Sequence, residues 1–599
     1  MGMKSELNIN KINYIEKAIN WLHSKFNEKQ FLIFSSILVG LSAGVAAIIL
    51  KLLVHFIRTI VIDGWLMHLP FKFIYLLLPV IGIGLTVFVV QRFFKGKLFR
   101  GTVNILHSIA KKGSFLSFQQ MYSHIITSGF TVAFGGSAGL ESPIVSTGSA
   151  IGSNYARRYK LSYKERTLLL AAGAAGGIAG AFNSPIAGVL FALEVILVDI
   201  NITAFIPLLI AAASGALISK IVLQENILLS FRHIQPFNYY NLPYYILLGF
   251  LAGFMSLYYV ILFDKTESKF KKIKAKYKRW IVGSILLVAI LAVFPALFGE
   301  GYDSIKSLAE QNPEAVFNKS VLNTIVTKYK WLALLFITVT MLLKALATGI
   351  TLGSGGNGGN FAPSLFVGAF LGYVFSHILI MLGFPQIPVS NLTIVAMSGI
   401  LTGVFHAPLT GIFLIAEITG GYELIIPLMI VSSISYIVVK YFHPQSMEIK
   451  KLMKKGTIVS EDKDVSILGK IDIAAIIETD FSILHPDDKL GEIVEVIKHS
   501  KRNTFPVVNK NNKLIGVVSL DNIRQEIFNQ ELYDKVTAKE LMMPAVTKIR
   551  ASQDIFAIMK LFEESGQWNL PVVDKGIYIG FLSKSSILTK YRNELVRSI

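Results

Sequence analysis

Glu141 is the single charged residue in an apolar, glycine-rich stretch, residues 130–152. An ionisable group at membrane depth is costly and is functional by default. Its neighbours in Gly139-Leu140-Glu141-Ser142-Pro143 suggest the chemistry. Gly139 permits a tight turn, and Pro143 suits the first turn of a helix, where no N–H partner is needed. The pentapeptide therefore predicts a loop turning into a helix N-terminus with Glu141 at its mouth. Free N–H groups and the helix dipole make such an end an anion site. A carboxylate beside it can take the anion's place and act as a plug. The same residues also suit an ordinary capping glutamate.

The elements that must hold this site are membrane helices. Hydrophobic residues make up 53% of the chain and charged ones 16%, which excludes an ordinary soluble protein. No cysteine is present, so disulfides and thiolate metal sites are excluded. The net charge of +20 is read as the positive-inside bias of a multi-pass protein rather than as affinity for nucleic acid. Residues 1–30 are polar, carry no cleavable signal pattern, and predict a cytoplasmic amphipathic helix over 12–26.

Apolar segments then follow at 31–50 (resuming to 62 beyond Lys51), 73–90, 202–223, 245–263, 280–298, 331–350, 361–382, 392–418 and 424–441. Residues 168–197 are apolar but broken by Gly173, Gly176, Gly177, Gly180 and Pro185, as in short helices that line a cavity. The most basic run, 269–279, reads as a cytoplasmic loop or a lipid-binding patch. No nucleophile–base constellation or metal-ligand cluster stands out, so the chain is not read as an enzyme. His406 is read as a packing residue. A divalent-cation transporter would need acidic clusters in the membrane part, which the sequence does not offer.

Two pairs of segments repeat. Gly139-Leu140-Glu141-Ser142-Pro143 with Gly148 and Gly152 matches Gly359-Asn360-Phe361-Ala362-Pro363 with Gly368 and Gly372. Residues 180–188 with Glu194 match residues 403–411 with Glu417. Both offsets are about 220 residues, which indicates a duplicated membrane half; in transporters such halves are commonly inverted, with broken helices marking the substrate site. The first half is assigned to residues 31–223 and the second to 224–452. Phe361 stands where the first copy has Glu141, so both copies supply a helix start and one supplies a carboxylate.

These motifs resemble the CLC family of chloride channels and proton-coupled chloride exchangers over residues 31–452. Gly139–Pro143 resembles the family's Gly-Lys/Arg-Glu-Gly-Pro, and Gly359–Pro363 its Gly-x-Phe-x-Pro. Phe182-Asn183-Ser184-Pro185 and His406-Ala407-Pro408-Leu409-Thr410-Gly411 fit two further segments. The resemblance implies an all-α polytopic membrane domain with an inverted repeat. It implies a homodimer in membrane lipid, with one anion path per subunit and chloride as the transported ligand. It makes Glu141 the gating glutamate, with Gly139, Leu140 and Ser142 beside the outer anion. It directs the Asn360 and Phe361 amides at the central one.

Three departures follow. The family's filter Gly-Ser-Gly-Ile-Pro falls on Phe99-Arg100-Gly101-Thr102-Val103, with Arg100 at the serine place. The filter tyrosine falls on Glu448, or on Met447 one residue earlier. Arg100 and Glu448 are therefore expected either to pair across the inner mouth, or Arg100 to point to the cytosol as a basic-loop residue. The inner proton-relaying glutamate falls on Val195, which carries no proton. That favours a passive chloride channel gated by Glu141, with proton-coupled exchange as the alternative. Glu194 is expected to make a structural hydrogen bond at a helix terminus.

Residues 453–599 have the composition of a soluble, cytoplasmic α/β domain. Residues 503–508 with 514–519 match 568–573 with 579–583, each reading as strand, turn, strand, helix. This resembles a pair of CBS domains, about 471–530 and 536–595, a module that can bind adenosine nucleotides. The family's ribose-binding Ser/Thr-x-x-Asp becomes Ser519 with Asn522, and Ser583 with Ser586. Both lack the acid that would hold the ribose. No other cofactor or metal is expected.

Overall fold

The computed structural model describes residues 27–66, 74–96, 98, 101–197, 202–224, 229, 235–384, 386–453, 468–469, 471–545 and 547–598. The amphipathic helix expected over 12–26 and the filter residue Arg100 lie outside the described residues. The chain forms two compact units, Met1–Thr457 and Ile458–Ile599.

The first unit is helical. Seven of its described helices are long and apolar enough to cross a membrane, including Lys29–Val61, Tyr239–Lys271 and Phe361–Met381. The Ile202–Leu223 helix is apolar on every side, as expected of a helix that meets protein on one face and lipid on the other. The basic run at 269–279 is mostly helix rather than loop: one helix continues to Lys271 and the next starts at Lys276.

The duplication is visible as paired local structure. The Glu141 helix (Glu141–Arg158) packs on the Tyr163 helix (Tyr163–Phe182) as the Phe361 helix (Phe361–Met381) packs on the Val389 helix (Val389–Phe405). The repeated glycines make these crossings close. A Cβ at Gly152 would sit 1.9 Å from the Leu169 carbonyl oxygen, and one at Gly372 would sit 2.2 Å from that of Leu392. Small residues at helix crossings let backbones approach where lipid supplies no hydrophobic drive.

The broken helices also match. The Tyr163 helix ends on Asn183 (φ 54°) and the Val389 helix on His406 (φ 57°), both left-handed caps. Pro185 and Pro408 then open short helices, Pro185–Phe191 and Pro408–Ile418. The apolar segment 392–418 is thus two helices, not one. The left-handed turn at His406 ends the first, and proline cannot extend it.

In the second unit, strands Thr504–Val508 and Leu514–Ser519 pair antiparallel, and Met543–Pro544 adds to their edge. Asn569–Asp574 and Ile577–Ser583 form the matching hairpin. A helix follows the second hairpin, Lys584–Ser598. The helix expected after Ser519 is absent; turns and the 3₁₀ turns Glu526–Phe528 and Gln530–Leu532 stand there. Asp521 and Asn522 turn the chain through bonds to Ser519, which competes with helix formation. Arg502 ties this unit together, bonding Glu478 at 2.6 Å and Asp480 at 2.5 Å while its guanidinium lies 4.6 Å from the Phe481 ring centroid.

Candidate functional site

The two helix starts that carry the repeated motifs face each other. Gly139 donates its N–H to the Gly359 carbonyl at 3.0 Å, and Gly359 returns one to Gly139 at 2.8 Å, an antiparallel bridge. Both glycines keep these starts close together. A Cβ at Gly139 would sit 2.0 Å from the Glu141 carboxylate, and one at Gly359 would sit 2.6 Å from the Ser142 Cβ.

Buried hydroxyls brace the approach to this bridge. Asn357 donates its backbone N–H to Thr131 Oγ1 at 2.9 Å and its side-chain amide to Thr127 Oγ1 at 2.8 Å. The Ser137 N–H donates to Thr351 Oγ1 at 3.2 Å. A loop at membrane depth must satisfy its polar groups internally, and these hydroxyls do so.

Glu141 opens its helix and, as a residue, is 4% exposed. Oε1 accepts the Tyr302 hydroxyl at 2.7 Å. Oε2 lies 3.4 Å from the Ala362 backbone nitrogen, in the first turn of the opposite helix. The side chain therefore spans from the start of its own helix to the start of the other. An acid in that place occupies the amide end that a free anion would use.

The Asn360 and Phe361 amides open the Phe361 helix, where helix geometry leaves N–H groups without intrahelical acceptors. The Asn360 side chain accepts the Tyr259 hydroxyl at 3.4 Å. The Phe361 ring packs against Phe182, Phe191 and Phe405, with centroids 5.6, 6.3 and 5.4 Å away. Both broken-helix turns thus contribute an aromatic wall beside the same helix start. Leu140 is buried.

Of the filter segment, Gly101 opens the Gly101–Lys111 helix with φ +67°, and a Cβ on it would lie 3.3 Å from Ser142 Oγ. This helix packs on the short helix Met447–Met453. Met447 and Glu448 are both buried there, and Lys451 fastens that helix to Glu267 at 2.9 Å. Val195 is buried in the π turn Ala192–Leu197. Glu194, beside it, binds the start of the Pro408 helix.

In the C-terminal unit, Ser583 donates its hydroxyl to Glu478 at 2.6 Å and accepts the Ser586 N–H at 2.9 Å. That hydroxyl is engaged inside the fold. Ser519 is half-buried and Asn522 exposed, joined by the Asn522 N–H donating to the Ser519 carbonyl. Among the described residues no group of three or more His, Asp or Glu side chains is arranged to hold a metal ion.

Tyr302, Glu300 and Lys344 were not singled out from sequence. Lys344 offered the clearest signal, because it interrupts the apolar segment 331–350 at membrane depth. Tyr302 follows Gly299-Glu300-Gly301, a glycine-flanked acid like that at Gly139–Glu141.

The family model described as voltage-gated chloride channel matches residues 80–440, and the CBS domain model matches 473–529 and 538–593. A relative named as a ClcB-like chloride channel protein, from Ralstonia nicotianae, is 29% identical over 346 residues, 56% of this chain and 76% of that protein. The H(+)/Cl(-) exchange transporter ClcA of Vibrio cholerae is 29% identical over 304 residues, 49% of this chain and 61% of that protein. The crystal structure of a slow cyanobacterial Cl−/H+ antiporter superposes with a TM-score of 0.61 at 22% identity, covering 72% of this chain and 99% of that one.

Proposed function

The chain belongs to the voltage-gated chloride channel family, with a pair of CBS domains after its membrane part, and we propose that it exchanges chloride for protons through a path gated by Glu141. The observation that carries this reading is the Glu141 carboxylate held between the Tyr302 hydroxyl and the Ala362 N–H, on facing helix starts. A carboxylate can leave that place in two ways. A chloride ion can displace it, because neutral amide donors serve either anion and hold neither too tightly. A proton can neutralise it and weaken its hold on the amide end. One side chain then couples the two ions, since each vacates or fills the same place.

The relatives named as exchangers favour coupling over passive flux. Val195 at the inner relay position is the observation that favours a channel, since valine carries no proton. Under exchange, inner protons reach Glu141 through water or through the buried Glu448. Arg100 and Glu448 remain proposed as charged replacements of the filter serine and tyrosine. The protein is proposed to work as a homodimer in membrane lipid, with both termini cytoplasmic. With Ser583 bound to Glu478 and no acid at position 522 or 586, the CBS module is read as a structural module. Adenine nucleotide is the ligand to test against it.

Purified protein in vesicles with an outward chloride gradient tests the reading. Exchange moves protons inward as chloride leaves, and Glu141→Gln abolishes that movement. Chloride flux without proton movement would make the protein a channel.

A further inference from the structure

The basic run at 269–279 has no task in the account above. It joins two membrane helices, Leu242–Lys271 and Lys276–Val293, and a third, Lys330–Ser354, packs on both. Glycines make these contacts close. A Cβ at Gly283 would sit 2.3 Å from the Ser354 Cβ, and one at Gly353 would sit 2.8 Å from the Phe270 Cβ. The Lys276–Val293 helix is also held to the Leu78–Phe93 helix: the Trp280 indole N–H donates to the Val80 carbonyl at 2.9 Å, and Lys276 Nζ to Gln91 Oε1 at 3.1 Å. Between the three helices of the basic run's neighbourhood a groove of about 610 Å³ remains.

Its wall is apolar and includes Leu286, Ile290 and Leu346. Among the described residues the charges that line it are Lys265 and Lys269, both exposed. Four positions apart, they share one helix face. No described carboxylate pairs with either. Glu267, between them in sequence, is taken by Lys271 at 2.8 Å and Lys451 at 2.9 Å. Both lysines stand near the Lys271 end of their helix, whereas Leu286 lies about 15 Å beyond the start of the next one. The charge is therefore set toward the membrane surface where residues 272–275 join the two helices, and the apolar wall runs toward the bilayer interior.

A phospholipid has the same layout, with phosphate at the surface and hydrocarbon below it. Basic pockets between membrane helices suit anionic headgroups. A soluble anion would leave the apolar wall uncovered, and a zwitterionic lipid would bring no net charge to the two ammonium groups. We propose that this groove binds an anionic phospholipid, its phosphate between Lys265 and Lys269 and an acyl chain along Leu286 and Ile290. The bound lipid braces the helix whose Tyr259 hydroxyl donates to Asn360 at the start of the Phe361 helix. The site does not depend on whether the anion path is coupled to protons.

The test is native mass spectrometry of the delipidated full chain in detergent, titrated with dioleoylphosphatidylglycerol or dioleoylphosphatidylcholine. The wild type is compared with three variants: Lys265→Gln with Lys269→Gln, Lys274→Gln with Lys278→Gln, and Ala289→Trp. The first pair is exposed, so glutamine disturbs no packing. The second pair removes the same charge from the same basic run outside the groove. Ala289 is an exposed part of the wall, where tryptophan takes the space of the chain. The expected result is that phosphatidylglycerol binds the wild type several-fold more tightly than phosphatidylcholine. Replacing Lys265 and Lys269 should remove that preference, replacing Lys274 and Lys278 should keep it, and Ala289→Trp should weaken both lipids several-fold. Equal affinity for the two lipids in the wild type would overturn the proposal. An equal loss in both lysine variants would make the attraction a diffuse surface charge and overturn it as well. Displacement of the lipid by excess inorganic phosphate would do so by making the site one for free anions. Unchanged lipid binding in Ala289→Trp, with loss of self-association, would make the groove a contact between copies of the chain and also overturn it.

Discussion

Glu194 and Glu417 cap each other's helices. Glu194 follows the Pro185 helix, and its carboxylate accepts the Leu409 N–H at 3.0 Å and the Thr410 N–H and hydroxyl at 2.8 and 2.7 Å. Glu417 closes the Pro408 helix, and its carboxylate accepts the Ile186 and Ala187 N–H groups at 3.1 and 2.9 Å. The exchange relates the two membrane halves by a local two-fold, as does the Gly139–Gly359 bridge. Orphan amides at a buried helix start need an acceptor, and each half supplies the other's.

Replacing either acid with alanine is therefore expected to lower stability by about 1–3 kcal/mol, the cost of a lost charged cap. The measurement is thermal unfolding in detergent. Glu194→Gln should recover part of the loss and leave chloride-driven proton movement intact. Loss of proton movement at unchanged stability would instead make Glu194 a proton carrier.

Gly139→Ala tests the seat of the gating acid without touching its chemistry. A Cβ there would sit 2.0 Å from the Glu141 carboxylate. Overlap in a packed site costs about 1–3 kcal/mol, so the carboxylate is expected to leave its seat and resting chloride efflux to rise. Efflux equal to that of the wild type would show that the seat does not limit flux.

Tyr302→Phe removes one hydrogen bond from the seated carboxylate. A hydrogen bond to a charged group contributes about 1.5–3 kcal/mol, so the seated state should be less populated and efflux faster at neutral pH. The increase should vanish in a Glu141→Gln background, where the bond partner has lost its charge. An equal increase in both backgrounds would place Tyr302 outside the gate.

At the inner end, Arg100→Ser and Glu448→Tyr are expected to change the chloride-to-nitrate flux ratio if the two charges line the path. Identical ratios in both variants would remove these residues from it. Glu448→Gln separately asks whether the buried acid carries protons: loss of proton movement with chloride flux retained is the expected sign.

In the C-terminal unit, Arg502→Ala should lower stability, because a small charge network rather than a lone pair is lost. Hydrogen bonding to Arg502 holds the Asp480 carboxyl below its ordinary value. A carboxyl depressed in the folded state stabilises above its unfolded pKa, about pH 4, and that contribution fades as pH falls through the folded value. The variant and the wild type should therefore converge in strongly acidic buffer, measured by limited proteolysis of the full chain. A gap that is independent of pH would assign the effect to the Phe481 contact instead.

The repeat was legible because glycine and proline at fixed places have few substitutes where backbones touch. Gly148, Gly152, Gly368 and Gly372 were visible in sequence for the reason that they pack closely in the fold. The break near His406 showed only through Pro408 and the match of residues 403–411 to the Pro185-broken segment, because a left-handed turn made by a non-glycine residue leaves no mark of its own in an apolar run. The partner of Glu141 was also hidden. Tyr302 lies 161 residues away in sequence, and nothing local to either residue announces the contact. The missing helix after Ser519 reflects local hydrogen bonding that overrides a periodic pattern.

The most direct test of the plug is anomalous diffraction from crystals grown in bromide, with the wild type and Glu141→Gln. If the carboxylate and a free anion compete for one place, Glu141→Gln shows a bromide peak at the start of the Phe361 helix, within hydrogen-bonding reach of the Ala362 amide. A bromide peak elsewhere only, with residue 141 in its wild-type position in both crystals, would contradict the account.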